Sequence, residues 1–232
     1  MVVMIPLNPS IHRQQRKFGY ICFPPKEFKA EGFTLEKKLM DKSKLNAFFH
    51  SLFPIQKEVV EKITETFRDF TLEKNTTLLH KEEISTKTYF LEKGYMRSYI
   101  LNEDQEEITT NIYAAPCFVN DFLSFFKKQP TKETYQTLTD CCFWETSLEN
   151  VQHNFHTIPE FREFSRLLFV INYAQLQDRV IEMASEKAVT RYRNLLNQKP
   201  SIFQNVPLKV IASYLGITDS SLSRIRKEST KI

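Results

Sequence analysis

Val206-Pro-Leu-Lys-Val-Ile-Ala-Ser-Tyr-Leu-Gly-Ile-Thr-Asp-Ser-Ser-Leu-Ser-Arg-Ile-Arg-Lys227 reads as two short helices around one tight turn. Pro207 suits a helix start, where its missing N–H leaves no bond unmade. Val210, Ile211 and Leu215 follow at helical spacing, and Ala212 is small enough to let a second helix cross closely. Gly216 stands where a helix C-terminus calls for positive φ. Thr218 can cap the next helix, in which Leu222 and Ile225 face inward. Ser220, Ser221, Ser223, Arg224, Arg226 and Lys227 are left for the outer face, hydroxyls and cations with little acidic charge among them. Such a helix-turn-helix sets its second helix in the major groove of DNA. The plainer alternative is an αα-hairpin in an ordinary helical core.

Charge is distributed to match. The chain of 232 residues has a net charge of +4. Residues 185–232 hold nine Lys/Arg against three Asp/Glu, whereas residues 40–184 hold sixteen against twenty-two. The positive surplus lies with the expected reading helix, as phosphate binding requires, and the acidic middle is suited to another task.

Outward from that C-terminal unit, residues 159–198 are helical in pattern and long. Phe161, Phe164, Leu167, Leu168, Val170, Ile171, Ala174, Leu176, Val180, Ile181, Met183 and Ala184 are too many for one face of a surface helix. One side must pack on its own domain and another elsewhere. A second copy of the same helix is the economical partner, the alternative being burial within one chain. Before it, short β-prone runs recur at 76–79, 89–91, 96–101, 108–113, 135–138 and 142–144, split by turns such as Glu92-Lys93-Gly94. That spacing predicts an antiparallel barrel or jelly roll, interrupted by a short helix over 118–126. From Leu45 to Phe70 apolar residues recur at helical spacing broken at Pro54, which predicts two helices. Residues 1–39 show no persistent period and carry Pro6, Pro9, Pro24 and Pro25. They read as a loosely ordered extension with Met40 as the working start, or as an arm packing through Phe18, Tyr20, Ile21 and Phe23.

Helices, β-roll, long helix and helix-turn-helix, in that order, resemble the cyclic-AMP receptor protein and fumarate–nitrate regulator (Crp/Fnr) family over roughly Met40 to Lys227. The most specific part is Ile211-Ala-Ser-Tyr-Leu-Gly-Ile-Thr218 with Ser221-Leu-Ser-Arg-Ile225; Phe90-Leu-Glu-Lys-Gly-Tyr-Met-Arg97 resembles the family's roll hairpin. The resemblance implies an α+β protein in four parts. These are an extension over 1–39, a cyclic-nucleotide-binding-like jelly roll over 40–158, a dimerisation helix over 159–187, and a helix-turn-helix domain over 188–232 lacking a full second wing. It also implies that the residues at Ser220, Ser221 and Arg224 meet bases or phosphates. Ser220 replaces the family's usual glutamate, so the operator consensus does not transfer. Thr218 and the helix N-terminus would meet phosphate, Arg224 would read guanine, and Arg226 and Lys227 would serve the backbone.

Cyclic AMP is not the expected effector. The family's phosphate cassette needs a glycine, a glutamate and an arginine, but the segment from Ala115 to Tyr135 contains no glycine and no arginine. Asn120 and Asp121 stand near the glutamate's place, and Lys132 offers a point charge beside Glu133. Arg97, Asn120, Asp121, Lys132 and Thr134 are the candidates for another effector's pocket. Phe122, Phe125 and Phe126 read as core under the roll, or as the wall of a hydrophobic effector pocket.

Other chemistries find less support. His153 and His156 have helical metal spacing, but no third ligand follows at a suitable interval. His12, His50 and His80 are scattered, against a cupin-like enzyme; no cofactor, metal or catalytic residue is expected. Cys22, Cys117, Cys141 and Cys142 form no paired framework and read as reduced thiols in a cytoplasmic protein. No apolar run spans a membrane, and the N-terminus lacks a signal pattern. The expected partners are double-stranded DNA and a second copy, with RNA polymerase and a small-molecule effector as further ones. A small-molecule-sensing roll that acts through a protein partner, without DNA, is the alternative from another class.

Overall fold

The computed structural model describes residues 41–229, so the extension over 1–39 and the start at Met40 lie outside the described residues. Two helices, α1 (Ser43–Leu52) and α2 (Lys57–Thr64), flank Pro54. Leu45, Phe48, Phe49, Val60 and Ile63 turn their spaced apolar faces into one core. Phe67 and Phe70 continue that spacing in sequence, yet the chain is extended there. Strand β1 (Arg68–Leu72) lays Phe70 opposite Phe143, with the rings stacked 5.0 Å apart. Residues three apart share a helix face but take opposite faces of an extended chain: Phe67 stays with the core of α1 and α2, and Phe70 turns to a second core with Tyr89 and Phe143.

The roll follows: β2 (Thr77–Leu79), β3 (Lys87–Lys93), β4 (Tyr95–Leu101), β5 (Glu107–Ala114), β6 (Cys117–Val119), α3 (Phe122–Lys127), β7 (Thr134–Thr137) and β8 (Cys141–Ser147). The sheets run β1-β8-β3-β6 and β2-β7-β4-β5 in spatial order, with antiparallel neighbours throughout. Gly94 joins β3 to β4 at φ +106, where a Cβ would sit 2.6 Å from the Asp140 carbonyl oxygen. The helix expected over 118–126 begins only at Phe122. Cys117–Val119 pair with β3, and Asp121 then caps α3 by accepting from the N–H groups of Leu123 and Ser124.

Alternation along the strands separates two cores. Leu91, Met96, Tyr113, Cys117, Val119, Tyr135 and Phe143 fill the roll between the sheets. Phe90, Phe118 and Trp144, on the opposite face of the first sheet, pack with α1, α2 and the start of the long helix.

Helix α4 (Leu148–Thr157) leads into α5 (Pro159–Ser185), with Pro159 at the first turn, where proline is tolerated. The continuous helical pattern to Gln198 is broken at Glu186, where the backbone is extended before α6 (Ala188–Gln198). A short α7 (Ile202–Asn205), α8 (Leu208–Tyr214) and α9 (Asp219–Ser229) complete the described chain. Tyr192, Leu195, Val210, Ile211, Ala212, Leu215, Leu222 and Ile225 form a third core, which also takes Ile112 from β5 and Leu138 from just past β7. No described helix is long and apolar enough to cross a membrane.

Candidate nucleic-acid interface and sensor cavity

The turn between α8 and α9 has the geometry the sequence asks of it. Gly216 adopts φ +66, and Leu222 and Ile225 are buried against α8. Thr218 accepts from the Ser221 N–H at 3.3 Å and its hydroxyl lies 3.0 Å from those of Ser220 and Ser221. Ser220, Ser223, Arg224, Arg226 and Lys227 are exposed and Ser221 is half-buried at the start of α9. The structure therefore brings all seven candidate contact residues, Thr218 included, onto one short segment and its first three turns. Asp219 contributes one negative charge at the helix start.

What fixes this unit in space was not visible in the sequence. Ser213, on α8, accepts from the Thr109 N–H at 2.8 Å and donates to the Glu107 carbonyl oxygen at 3.1 Å. Strand β5 is the edge of its sheet, so one hydroxyl closes part of an open ladder. Arg179 of α5 stacks on the Tyr214 ring at 3.7 Å and donates to its carbonyl oxygen. Arg191 of α6 donates twice to the Leu215 carbonyl oxygen, at 2.9 and 3.2 Å, and once to that of Glu186, at 2.6 Å. It thus caps the ends of both α5 and α8. A helical serine or arginine shows nothing in sequence of a partner 104 residues away, the separation of Thr109 from Ser213.

The five residues weighed for an effector pocket do not share one surface. Arg97 pairs across the ladder with Ile112 and Gln136, on the outer face of the second sheet. Its guanidinium donates to Glu107 at 2.6 Å and to Gln136 at 2.8 and 3.1 Å. Thr134 pairs with Tyr99 on that same sheet. Asn120 is buried beyond the first sheet, accepting from Thr88 at 3.4 Å. The Asp121 carboxylate is spent on the cap of α3, and Lys132 is exposed. Between the sheets, Glu133 accepts from both Thr110 and Tyr135, and Ser98 lies within 3.4 Å of the Tyr113 hydroxyl. A carboxylate there opposes a phosphate anion.

Beyond the first sheet lies a cavity of about 880 Å³ between α3, α4 and α5. Its walls are mainly apolar, with Phe122, Phe125, Phe126, Phe155 and Phe169 among them. Of the described cysteines, Cys117 and Cys141 are buried; loss of hydration pushes the Cys117 thiol to about 12 and the Cys141 thiol to about 11. Both are packing groups rather than nucleophiles. His153 and His156 are exposed on α4.

Residues 70–156 match the family model of the cyclic nucleotide-binding domain. Over a longer span the chain is similar to FixK2 from Bradyrhizobium japonicum, at 14% identity and a TM-score of 0.59, covering 71% of this chain and 85% of that one. A CooA mutant from Carboxydothermus hydrogenoformans is 17% identical with a TM-score of 0.58, over 84% and 88% of the two chains. A protein of Eubacterium rectale described as of the crp/fnr family is 16% identical with a TM-score of 0.58, over 78% and 88%. The chain has the Crp/Fnr fold. Within that fold, β1 to β8 make the nucleotide-binding-type roll, α5 is the long connecting helix, and α8 and α9 make the helix-turn-helix. By sequence, no curated protein matches.

Proposed function

We propose that this chain is a dimeric transcription regulator of the Crp/Fnr type that reads DNA with α9 and does not depend on cyclic AMP. The observation that carries the reading is α9 itself. Its inner face, Leu222 and Ile225, is buried, and its outer face presents Ser220, Ser223, Arg224, Arg226 and Lys227 beyond a Gly216 turn. Arg224 is the residue for a bidentate guanine contact, flanked by Ser220 and Ser221, while Thr218, Ser223, Arg226 and Lys227 hold the backbone.

Dimerisation is supported by the second half of α5. Phe169, Tyr173, Leu176, Val180 and Met183 are exposed and recur at alternating steps of four and three, the spacing of a coiled-coil seam. The first half differs: Phe161 and Phe164 are buried in their own chain. Two such helices would place two copies of α9 for half-sites about one helical turn apart. The domain boundaries at 158/159 and 187/188 fit the breaks before α5 and after it. Independence from cyclic AMP rests on the filled roll, the inward Glu133 carboxylate and the engagement of Arg97 with Glu107. A protein reading chromosomal DNA works in the cytoplasm, and an exposed roll surface would be open to RNA polymerase.

Selection from a random duplex pool at two salt concentrations tests this. Recovery of a two-fold symmetric motif, with affinity falling steeply as salt rises, is the expected result. Recovery of no motif by folded dimer, with and without cyclic AMP, would overturn it.

A further inference from the structure

The cavity between α3, α4 and α5 lies outside the roll. Phe118 lines it and belongs to the helix-facing core, whereas its neighbours Cys117 and Val119 point between the sheets. It is also too large to be a packing defect. About 880 Å³ is within the usual range for small-molecule sites, roughly 300–1,000 Å³. Nine of the twenty-one residues that line it are phenylalanine, which offers rigid apolar area. Thr88 and Asn120 are the buried polar residues at its floor.

The mouth carries a defined charge. Three ionised side chains line the cavity where it meets solvent: Arg162, Glu163 and Arg166. Glu163 and Arg166 form a two-armed ion pair, whose mutual hydrogen bonds hold the carboxyl low and the guanidinium high. Their charges cancel. Arg162 remains, holding the carbonyl oxygens of Phe155 and His156 at 3.1 and 3.4 Å through Nε and Nη2. An apolar lumen with one net positive charge at its entrance matches one class of ligand.

We propose that this cavity binds a monoanionic amphiphile, an apolar chain ending in a carboxylate. The tail lies among Phe122, Phe125, Phe126 and Phe155, and the carboxylate meets Arg162. As an effector site the assignment rests on the regulator reading; as a binding site it does not. The ligand would act on the dimer through contacts already present. Phe122 lies edge-on to Phe169 at 5.4 Å, and Phe169 opens the α5 seam. Filling the cavity sets the position of Phe122 and hence of the first seam residue.

The test is calorimetric titration of the full chain with sodium decanoate and, separately, with decanol, with no DNA present. Decanoate is expected to saturate one site per chain and to bind at least tenfold more tightly than decanol. Arg162→Gln should erase that preference and Arg162→Lys should keep part of it. Ser165→Leu, which adds bulk to the lumen from α5, should weaken both ligands while leaving the melting temperature unchanged. Decanol equal to decanoate on the unmodified chain would overturn the carboxylate assignment. Unchanged binding in Ser165→Leu, or no saturable binding by folded protein, would overturn the site. Duplex selection succeeds or fails separately, so loss of one reading is distinguishable from loss of the other.

Discussion

Leu176→Asp is the substitution that bears most directly on dimerisation. In the single chain Leu176 is 55% exposed, in line with Phe169 (52%), Tyr173 (60%), Val180 (60%) and Met183 (41%). Full burial of such a side chain contributes about 1.5–3 kcal/mol. Roughly half the surface is left for a partner helix to cover, so each leucine stands to contribute about 1 kcal/mol to association. A dimer contains two, and aspartate also faces two carboxylates across a desolvated seam. With about 1 kcal/mol for each of those burdens, the loss is about 4 kcal/mol, or about a thousandfold in dissociation constant. Leu176→Ala forfeits only the apolar part, about 2 kcal/mol and about thirtyfold. Gln177→Asp is the control: the residue is exposed and one step around the helix, off the seam. The monomer should be insensitive to all three, within about 0.5 kcal/mol, because none of these side chains is buried in its own chain. Sedimentation velocity over a dilution series, beside denaturant melts, reads both quantities. If Leu176→Asp and Gln177→Asp dimerise alike, the seam is not the interface. If Leu176→Asp instead destabilises the monomer by several kcal/mol, the exposed face belongs to a core.

Three further outcomes are expected. Arg224→Ala should relax base preference at one position of each half-site, costing about 1–3 kcal/mol on the cognate duplex, whereas Lys227→Ala should weaken cognate and scrambled duplexes alike; equal losses for both variants, measured by fluorescence anisotropy, would contradict the roles given to them. Arg191→Ala removes three charge-assisted bonds to two carbonyl oxygens; it should cost about 2 kcal/mol in urea denaturation, with Arg191→Lys recovering less than half because an ammonium cannot span both acceptors. Lys199 titrates lower than an ordinary lysine, near 8, because burial disfavours its charge, with Cys117 opposing that shift and Arg179 adding to it. Between pH 8 and about 10.5 the unfolded chain therefore holds more protons at this site than the folded one, and stability from this group rises with pH. Lys199→Met should remove that rising contribution from the stability–pH curve, and an identical slope in both proteins would refute it.

Several elements were legible in the sequence alone. The helix-turn-helix was legible because its signals are local and mutually consistent: Pro207 at the start, Gly216 in the turn, Thr218 at the cap, and Leu222 with Ile225 one turn apart. The strands of the roll were largely legible from alternation. Strand β1 was not, because Phe67 and Phe70 continue the helical spacing of the residues before them, and its pairing with β8 joins residues 69 to 77 positions apart. Periodicity alone ran through the break after Ser185 to Gln198, since no proline or glycine marks it; the boundary at 187/188 came from the resemblance, and Arg191 holds the new direction from outside the segment.

Sequence by itself determined the class of fold, the second helix of the helix-turn-helix with its outward hydroxyls and cations, and the apolar surplus on α5, since each depends on spacing within a single element. Tertiary structure decided where those elements stand. It sent Arg97 to the outer face of one sheet and Asn120 beyond the other, seated Ser213 on the edge of β5, and enclosed a phenylalanine-walled cavity between three helices. Local periodicity states which side of a residue must be buried. Which distant surface buries it depends on how whole sheets and helices pack, and no window of neighbouring residues carries that choice.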